Sequence, residues 1–282
     1  MSRLDALRKK LIEKTKHQVM ERYSQPDAHL LRAVNALDDL DQIYNLVFEH
    51  VREWYGIHYP ELERIEKNPD QYLALVQKGG LTSNYNPATL EFVPEDKRGI
   101  ILQNITNSMG SPLQENQLNA IQSLASLAAT IKNQRTQLQA FIETETKARF
   151  PRLSELAMPL LAARLISKAG GARNLAFAPS STLQTLGAEK AMFAHLKNKS
   201  RPPKHGLIYN HALIKTAPFQ QRGKIARALA GKLAIAMRQD FFAMMDATPI
   251  SSSHENSTLG TQLDERINRI RTDGPGKKGP KK

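Results

Sequence analysis

Three histidines, His195, His205 and His211, fall within one short stretch of the chain, and imidazoles in that number can ligate zinc or serve as acid and base. Their spacings of ten and six match no i, i+4 pair on a helical face. The carboxylates near them are Glu189 and Asp240, too few to complete a metal site or a general acid–base pair. The chain has no cysteine, which removes disulfides, thiol catalysis and thiolate zinc sites. A histidine-based RNA-processing enzyme is thus the weakest reading, and no catalytic residue, metal or cofactor is expected.

Cations offer a different chemistry. Between Gly187 and Arg238 stand eleven Lys or Arg against one acid, Glu189. Residues 1–148 hold 17 basic and 19 acidic side chains, residues 149–250 hold 16 and 4, and residues 251–282 hold 7 and 4. The formal net charge of +13 is therefore concentrated in one region. Such a field attracts a polyanion, because each cation that meets a phosphate releases condensed counterions. Aromatic residues make up 6% of the chain, low for a protein that reads single strands by stacking, so recognition of shape and backbone fits better.

The elements that would position these cations read as helices. Lys197 to His205 (KNKSRPPKH) has no apolar residue except its prolines and is expected as an exposed, stiffened basic loop. After it a helix over about 220–242 places Lys224, Arg227 and Arg238 within an arc of about 60°, with Gly231 between them and Ile225, Leu229, Leu233 and Met237 opposite. Gly231 would leave a gap in the cationic face for a close backbone approach. Before the loop, Ser180, Ser181 and Thr182 can cap a helix, Gly187 interrupts the run, and a helix restarting at Ala188-Glu189-Lys190 offers amides to phosphate. Further back, residues 152–168 are apolar on most of their circumference (Leu156, Met158, Leu160, Leu161, Leu165, Ile166) and are expected as one buried helix ended by Gly170-Gly171.

Upstream of about residue 150, two apolar seams alternate spacings of three and four. One runs Leu30, Ala33, Leu37, Leu40, Tyr44, Val47, Val51, Trp54 in a helix over about 28–57 with Asp27 as N-cap; the other runs Ile121, Leu124, Ala128, Ile131, Arg135, Leu138, Ile142 in a helix over about 112–147. They pack most simply as an antiparallel hairpin, either inside a globular bundle or as a protruding coiled coil, with Arg135 weakening or reorienting it. A short helix from Pro60 to about Gly79-Gly80, a loop and a helix over about 95–108 would form a tip with a surface for self-association. Residues 3–22 place Leu4, Leu7, Leu11 and Ile12 on one stripe of an amphipathic helix whose basic face is either solvated or touches RNA. Beyond residue 251, a helix over 259–271 (Leu259, Leu263, Ile267, Ile270) precedes a last ten residues rich in Gly, Pro and Lys, expected to be disordered and to hold RNA nonspecifically. No window approaches the ~20 apolar residues of a membrane span, and the opening MSRLDALRKK has no apolar stretch behind it. A soluble, intracellular protein is expected.

The runs GARNLAFAPSSTLQTLGAEKAMFAHL, RPPKHGLIYNH and QRGKIARALAGKLAIAMR, in this order and spacing, resemble the Nop domain, the RNA–protein recognition module of box C/D particle scaffolds and a spliceosomal relative. ALDDLDQIYNLVFEHVREWYGIHYPEL, from Ala36 to Leu62, resembles the coiled-coil domain of the same family, so the likeness covers residues 28–245. The resemblance implies an all-α protein: a coiled-coil domain over 1–148 with a tip insertion at about 60–110, a Nop domain over 149–250, and a tail. It implies a scaffold that recognises a kink-turn RNA together with its small ribosomal-type kink-turn protein, in particles that guide RNA 2′-O-methylation.

By position the RNA contacts would be Gln184, Lys190, Arg201, Lys204, His205, Arg222, Lys224 and Arg227. Ala188 and Ala191 would touch the partner protein, while Met192 reads as core. His205 with Pro203 could pack against an extruded nucleotide. Only 27 residues precede the helix of the first seam, too few for the family's fibrillarin-holding domain, which puts fibrillarin as a partner in doubt. Localisation would be cytoplasmic in a prokaryote or archaeon and nucleolar in a eukaryote. A coiled-coil adaptor that binds only proteins would leave the basic segment idle.

Overall fold

A computed structural model describes residues 3–23, 27–246 and 255–272, among which no strand occurs, so the fold is all-α as expected. The helices are α1 (Arg3–Tyr23), α2 (Ala28–Gly56), α3 (Leu62–Ile65), α4 (Pro69–Lys78), α5 (Glu95–Ile105), α6 (Glu115–Arg149), α7 (Pro151–Ala157), α8 (Pro159–Lys168), α9 (Ala172–Phe177), α10 (Ser180–Thr185), α11 (Glu189–Asn198), α12 (Ala212–Lys215), α13 (Phe219–Met245) and α14 (Glu255–Thr272). They form two compact units: one is Ala36–Leu138, and the other joins Met1–Asn35 to Gln139–Lys282. Among the described residues no helix is long and apolar enough to cross a membrane. The last ten residues, expected as disordered, lie outside the described residues.

In the unit Ala36–Leu138, Tyr44, Val51 and Tyr55 of α2 share a core with Ile121, Ala125, Ala128 and Ile131 of α6. The α2 seam drifts from the expected register, so that Tyr55 is fully buried and Trp54 is exposed. A straight α-helix slips about 20° per heptad, which moves the buried face onto the next residue. Buried tyrosines then organise the tip: the Tyr55 hydroxyl donates to the Gly80 carbonyl at 2.6 Å and meets the Tyr85 hydroxyl at 2.9 Å, while Tyr59 donates to the Ile101 carbonyl at 2.9 Å. The expected helix from Pro60 to Gly79 is two helices, because Pro69 cannot continue a helix and instead starts α4, whose N-cap Asn68 accepts from the Asp70 amide at 2.9 Å.

Arg135 does not stand as a bare break in its seam. It pairs with Asp41 and lies 5.6 Å from the Tyr44 ring centroid. Lys132 reaches Asp70 at 2.6 Å, and Tyr44 donates to the same carboxylate at 2.8 Å. Burial pushes the Asp70 carboxyl up, and these two hydrogen bonds outweigh it, holding it below its usual range.

In the other unit α13 is the element on which α7, α9, α10, α12 and α14 converge. Its Ile225, Leu229, Leu233 and Met237 are fully buried, as their spacing requires. Leu259, Leu263, Ile267 and Ile270 of α14 are likewise buried, in a helix that packs on α13. By contrast, Leu4, Leu7, Leu11 and Ile12 of α1 are all exposed. The expected helix over 152–168 breaks at Met158, which is exposed with φ 70°. Pro159 bars the preceding residue from helical geometry and then serves as the first residue of α8. Gly170 and Gly171, both at positive φ, close α8 as expected. Asp27 is buried, and its carboxylate accepts from the Ala172 amide, so it caps α9 from a distance. Pro179 is the N-cap of α10, and no side-chain hydroxyl caps that end, contrary to the expectation for Ser180, Ser181 and Thr182.

Two buried polar groups lock this unit. Asp240 of α13 accepts from the Leu153 amide at 2.9 Å and the Arg152 amide at 3.3 Å, and pairs with the Arg152 guanidinium at 3.4 Å. Burial pushes the Asp240 carboxyl up, against the opposing pull of those amides and the guanidinium. His211 accepts from the Leu213 amide through Nδ1 at 3.2 Å, which leaves Nε2–H to donate to the Leu156 carbonyl at 3.0 Å. This tautomer is neutral, and burial keeps the imidazole pKa below its usual value.

Asp240→Ala removes the acceptor of two α7 amides and the carboxylate opposite a buried guanidinium, so it is expected to destabilise by about 3 to 5 kcal/mol. Urea unfolding with an unchanged slope measures this, and a loss under about 1 kcal/mol would show that the lock is not where the stability lies.

His211 gives a pH signature. A depressed folded pKa means that the unfolded chain binds more protons below the ordinary value near 6.5, so the stability from His211 is present above that pH and is lost as pH falls below it. Urea midpoints at pH 7.5 and 5.5 should therefore differ. In His211→Asn, which retains a side chain able to cap α12, the difference should shrink; an identical difference in both proteins would count against it.

Candidate nucleic-acid interface

Two short segments, 184–187 and 204–207, run against each other and build the centre of the basic region. The Gln184 side-chain amide donates to the Lys204 carbonyl at 2.7 Å, the Gly206 amide donates to the Gln184 carbonyl at 2.9 Å, and the Leu207 amide donates to the Leu186 carbonyl at 2.7 Å. Side chains at two positions would forbid this approach. A Cβ on Gly206 would sit 2.0 Å from the Leu186 carbonyl oxygen, and one on Gly187, whose φ is 88°, would sit 2.6 Å from Leu207.

This pairing presents the loop. His205 stacks on Tyr209 with centroids 4.8 Å apart and planes 20° from parallel, and Arg222 lies 5.5 Å from the same ring. Arg222 also donates through Nε to the Ala217 carbonyl at 2.9 Å, so its guanidinium is directed to the protein's own backbone. Burial, and then the Arg222 charge, hold the His205 pKa low. At neutral pH His205 is thus a flat, uncharged ring beside a cation, suited to packing against a base. Lys204 extends over the Phe219 ring at 4.7 Å.

Lys190, Arg201, Lys204, Lys224 and Arg227 are all exposed, and none is held by an acid among the described residues. Gln184, Lys204, His205 and Arg222 come together with Tyr209 and Phe219 around the paired segments. Lys190 is carried on α11, and Lys224 and Arg227 on α13. Arg238 lies exposed on the same face as Lys224 and Arg227, as expected, but its guanidinium is committed to the protein: its Nε and Nη2 donate to the Ala176 and Ala178 carbonyls at 3.0 and 3.1 Å. Around Gly231 the expected gap is present: a Cβ there would meet nothing within 4 Å. At the start of α11, Glu189 already accepts from the Gly187 amide at 2.8 Å and pairs with Lys168 at 3.3 Å.

No residue of α11 is buried. Ala191 is exposed, Ala188 is half-buried, and Met192, expected in the core, is half-buried too. Phe193 and Leu196 are 70% and 71% exposed. They were not singled out by sequence reasoning, since an i, i+3 apolar pair on a helix reads as core whenever nothing says what lies opposite. The three histidines serve three separate ends: His195 meets the Ser200 carbonyl, His205 stacks, and His211 caps α12. Among the described residues no group of three or more His, Asp or Glu gathers as a metal site.

Comparison with known proteins agrees with this architecture. The family model Nop, described as snoRNA binding domain, fibrillarin, matches residues 36–271. An uncharacterised NOP5 family protein of Methanocaldococcus jannaschii is 41% identical over 242 residues, covering 84% of this chain and 58% of the relative. Nucleolar protein 58 of Neosartorya fischeri is 38% identical over 244 residues, covering 86% of this chain and 41% of the relative. The chain thus spans about half the length of these curated relatives. Among solved structures, that of a fibrillarin/Nop5p complex shares the fold, with a TM-score of 0.53 and 21% identity over 95% of this chain and 79% of that one. With residues 36–271 matched by its family model and relatives near 40% identity across most of its length, the chain belongs to the Nop family.

Proposed function

We propose that the chain is a scaffold of a box C/D-type ribonucleoprotein particle, of the kind that guides RNA 2′-O-methylation, and that it recognises a kink-turn RNA together with the small protein already bound to it. The observation that carries this reading is the set of five exposed cations, Lys190, Arg201, Lys204, Lys224 and Arg227, around the paired segments of a Nop-family chain. Lys and Arg meet phosphates, Gln184 holds the loop in register, Arg222 backs the Tyr209 ring on which His205 stacks, and His205 faces a splayed nucleotide. The recognition module is residues 149–250. Residues 1–148 form the coiled-coil part and the place of self-association. Ala188 and Ala191, with Phe193 and Leu196 beside them on α11, face the small protein. The role is structural and requires no catalytic group. Localisation follows the relatives: the nucleolus for a eukaryotic source, the cytoplasm for an archaeal one.

The expectation against fibrillarin finds no support. The family description names fibrillarin, the Nop5p of the structural neighbour is in complex with it, and the chain spans only part of its relatives.

Composite recognition makes affinity conditional. Binding of a kink-turn RNA should be weak alone and strong once the small kink-turn protein is bound, and equal affinity in both cases would sink the reading. In the complex the logarithm of affinity should fall with that of salt, and Arg201→Ala and Lys224→Ala should each flatten the slope by roughly 0.7 to 0.9 while leaving the melting temperature unchanged. Wild-type binding by both variants at moderate salt would place the phosphates elsewhere.

Gly231 separates binding from folding. Gly231→Ala should stabilise the helix by up to about 1 kcal/mol, because alanine has the higher helix propensity and its Cβ meets no neighbour. If an RNA backbone approaches closely there, the same change lowers affinity. A rise in both stability and affinity would exclude that approach.

A further inference from the structure

The outward face of α13 continues well past its cationic half. At 100° per residue, Lys224, Arg227, Ile235, Arg238, Phe242 and Met245 fall within an arc of about 80°, and all six are exposed. From Lys224 to Phe242 the face extends about 27 Å at 1.5 Å per residue. Its cations lead to an aromatic end. Phe177, at the close of α9, is 62% exposed, and Phe242 is 48% exposed. Their rings pack edge to face with centroids 6.1 Å apart, and both are braced by Phe241, which is buried.

This pair is held rigidly. The Arg238 guanidinium donates to the carbonyls of Ala176 and Ala178, on either side of Phe177, and so fixes the end of α9 to α13. One turn before Phe177 on α9 stands Arg173, which is exposed and paired with no acid among the described residues. Arg173 and Arg238 thus flank the rings with two cations: of the four acids in residues 149–250, Asp240 is buried against Arg152, Glu189 is engaged at the start of α11, and Glu155 and Asp246 are exposed, Asp246 one turn beyond Phe242. Rigid half-exposed rings beside arginine, continuous with a cationic track, favour bases over an acidic or apolar peptide.

We propose that Phe177 and Phe242 form a stacking platform for unpaired nucleotides of an RNA strand that follows the outer face of α13 away from the kink-turn contacts. This inference rests on the RNA-binding reading above. The kink-turn would be held at the loop and the first half of α13, and the strand leaving it would be read without sequence preference, since every base offers a π-face.

The test uses the full chain with a kink-turn RNA carrying its small protein, with and without a single-stranded extension of about ten nucleotides. Wild type should bind the extended RNA about tenfold more tightly, the effect of roughly one stacked base. An extension made of abasic nucleotides, which keeps the phosphates and removes the rings, should lose most of that gain. Phe177→Leu and Phe242→Leu keep apolar bulk and should also lose it, while binding the unextended RNA as wild type does. The proposal is overturned by an extension that adds nothing, by an abasic extension that binds as well as the natural one, or by a gain that survives both leucine variants. Variants that lower capture of the small protein with no change on the extended RNA would make the patch a protein interface and overturn it as well. Absence of any binding to the unextended complex would instead defeat the kink-turn reading. The platform is then judged on the isolated single strand, whose affinity must fall in the leucine variants for it to stand.

Discussion

The buried face of α13 is the constraint on which the larger unit depends. Ile225, Leu229, Leu233 and Met237 are fully buried, each contributing on the order of 1.5 to 3 kcal/mol. Because α7, α9, α10, α12 and α14 all pack against this one helix, its rotation about its own axis is set from several sides at once. That fixes the opposite face, and with it the direction in which Lys224 and Arg227 point. Much of the positive surface thus has its geometry determined by apolar contacts that touch no charge.

Two charged side chains of α13, one buried and one exposed, refine this arrangement. Asp240 ties the start of α7 to α13, and Arg238 ties the end of α9 to it. In each case a charged side chain on α13 satisfies backbone groups at the terminus of a short helix, groups that the helix cannot satisfy internally. The basic loop is held by a different device: its register comes from backbone pairing between 184–187 and 204–207, possible only where Gly187 and Gly206 allow two chains to touch.

Much of this was legible in the residues. Spacing of apolar side chains located the long helices, both faces of α13 and the buried side of α14, because a periodicity of 3.6 is a direct statement about one helix. The exposed basic loop was legible too, from the absence of anything to bury. What escaped depends on what lies opposite. Leu4, Leu7, Leu11 and Ile12 fall on one helical stripe, as the buried residues of α14 do, yet they are exposed. Arg238 shares an arc with Lys224 and Arg227, and only the proximity of the α9 carbonyls commits its guanidinium to the protein. Asp27 reads as a local cap, and its carboxylate caps a helix far along the chain. Met158 and Pro69 were legible in principle, since proline constrains its predecessor, but apolar periodicity masked the breaks. Within the candidate site, residue types drew attention to the basic loop and α13, while the engagement of Arg222 with its own backbone depends on a carbonyl that spacing alone does not place.

The link between Asp27 and Ala172 bears on the order in which the protein is made. Its partners are separated by 145 positions, and the unit Ala36–Leu138 lies wholly between them in sequence. At 5 to 20 residues per second, the ribosome needs roughly 7 to 30 seconds to travel from one to the other. During that interval the inserted unit is complete and can fold, whereas the opening segment has no destination. An all-helical chain rich in local contacts would ordinarily fold fast, but closing so long a loop imposes an entropic delay on the outer unit. The inner unit can therefore fold before the outer one is complete, and the outer unit gains its cap on α9 only when the chain has returned to meet its own beginning.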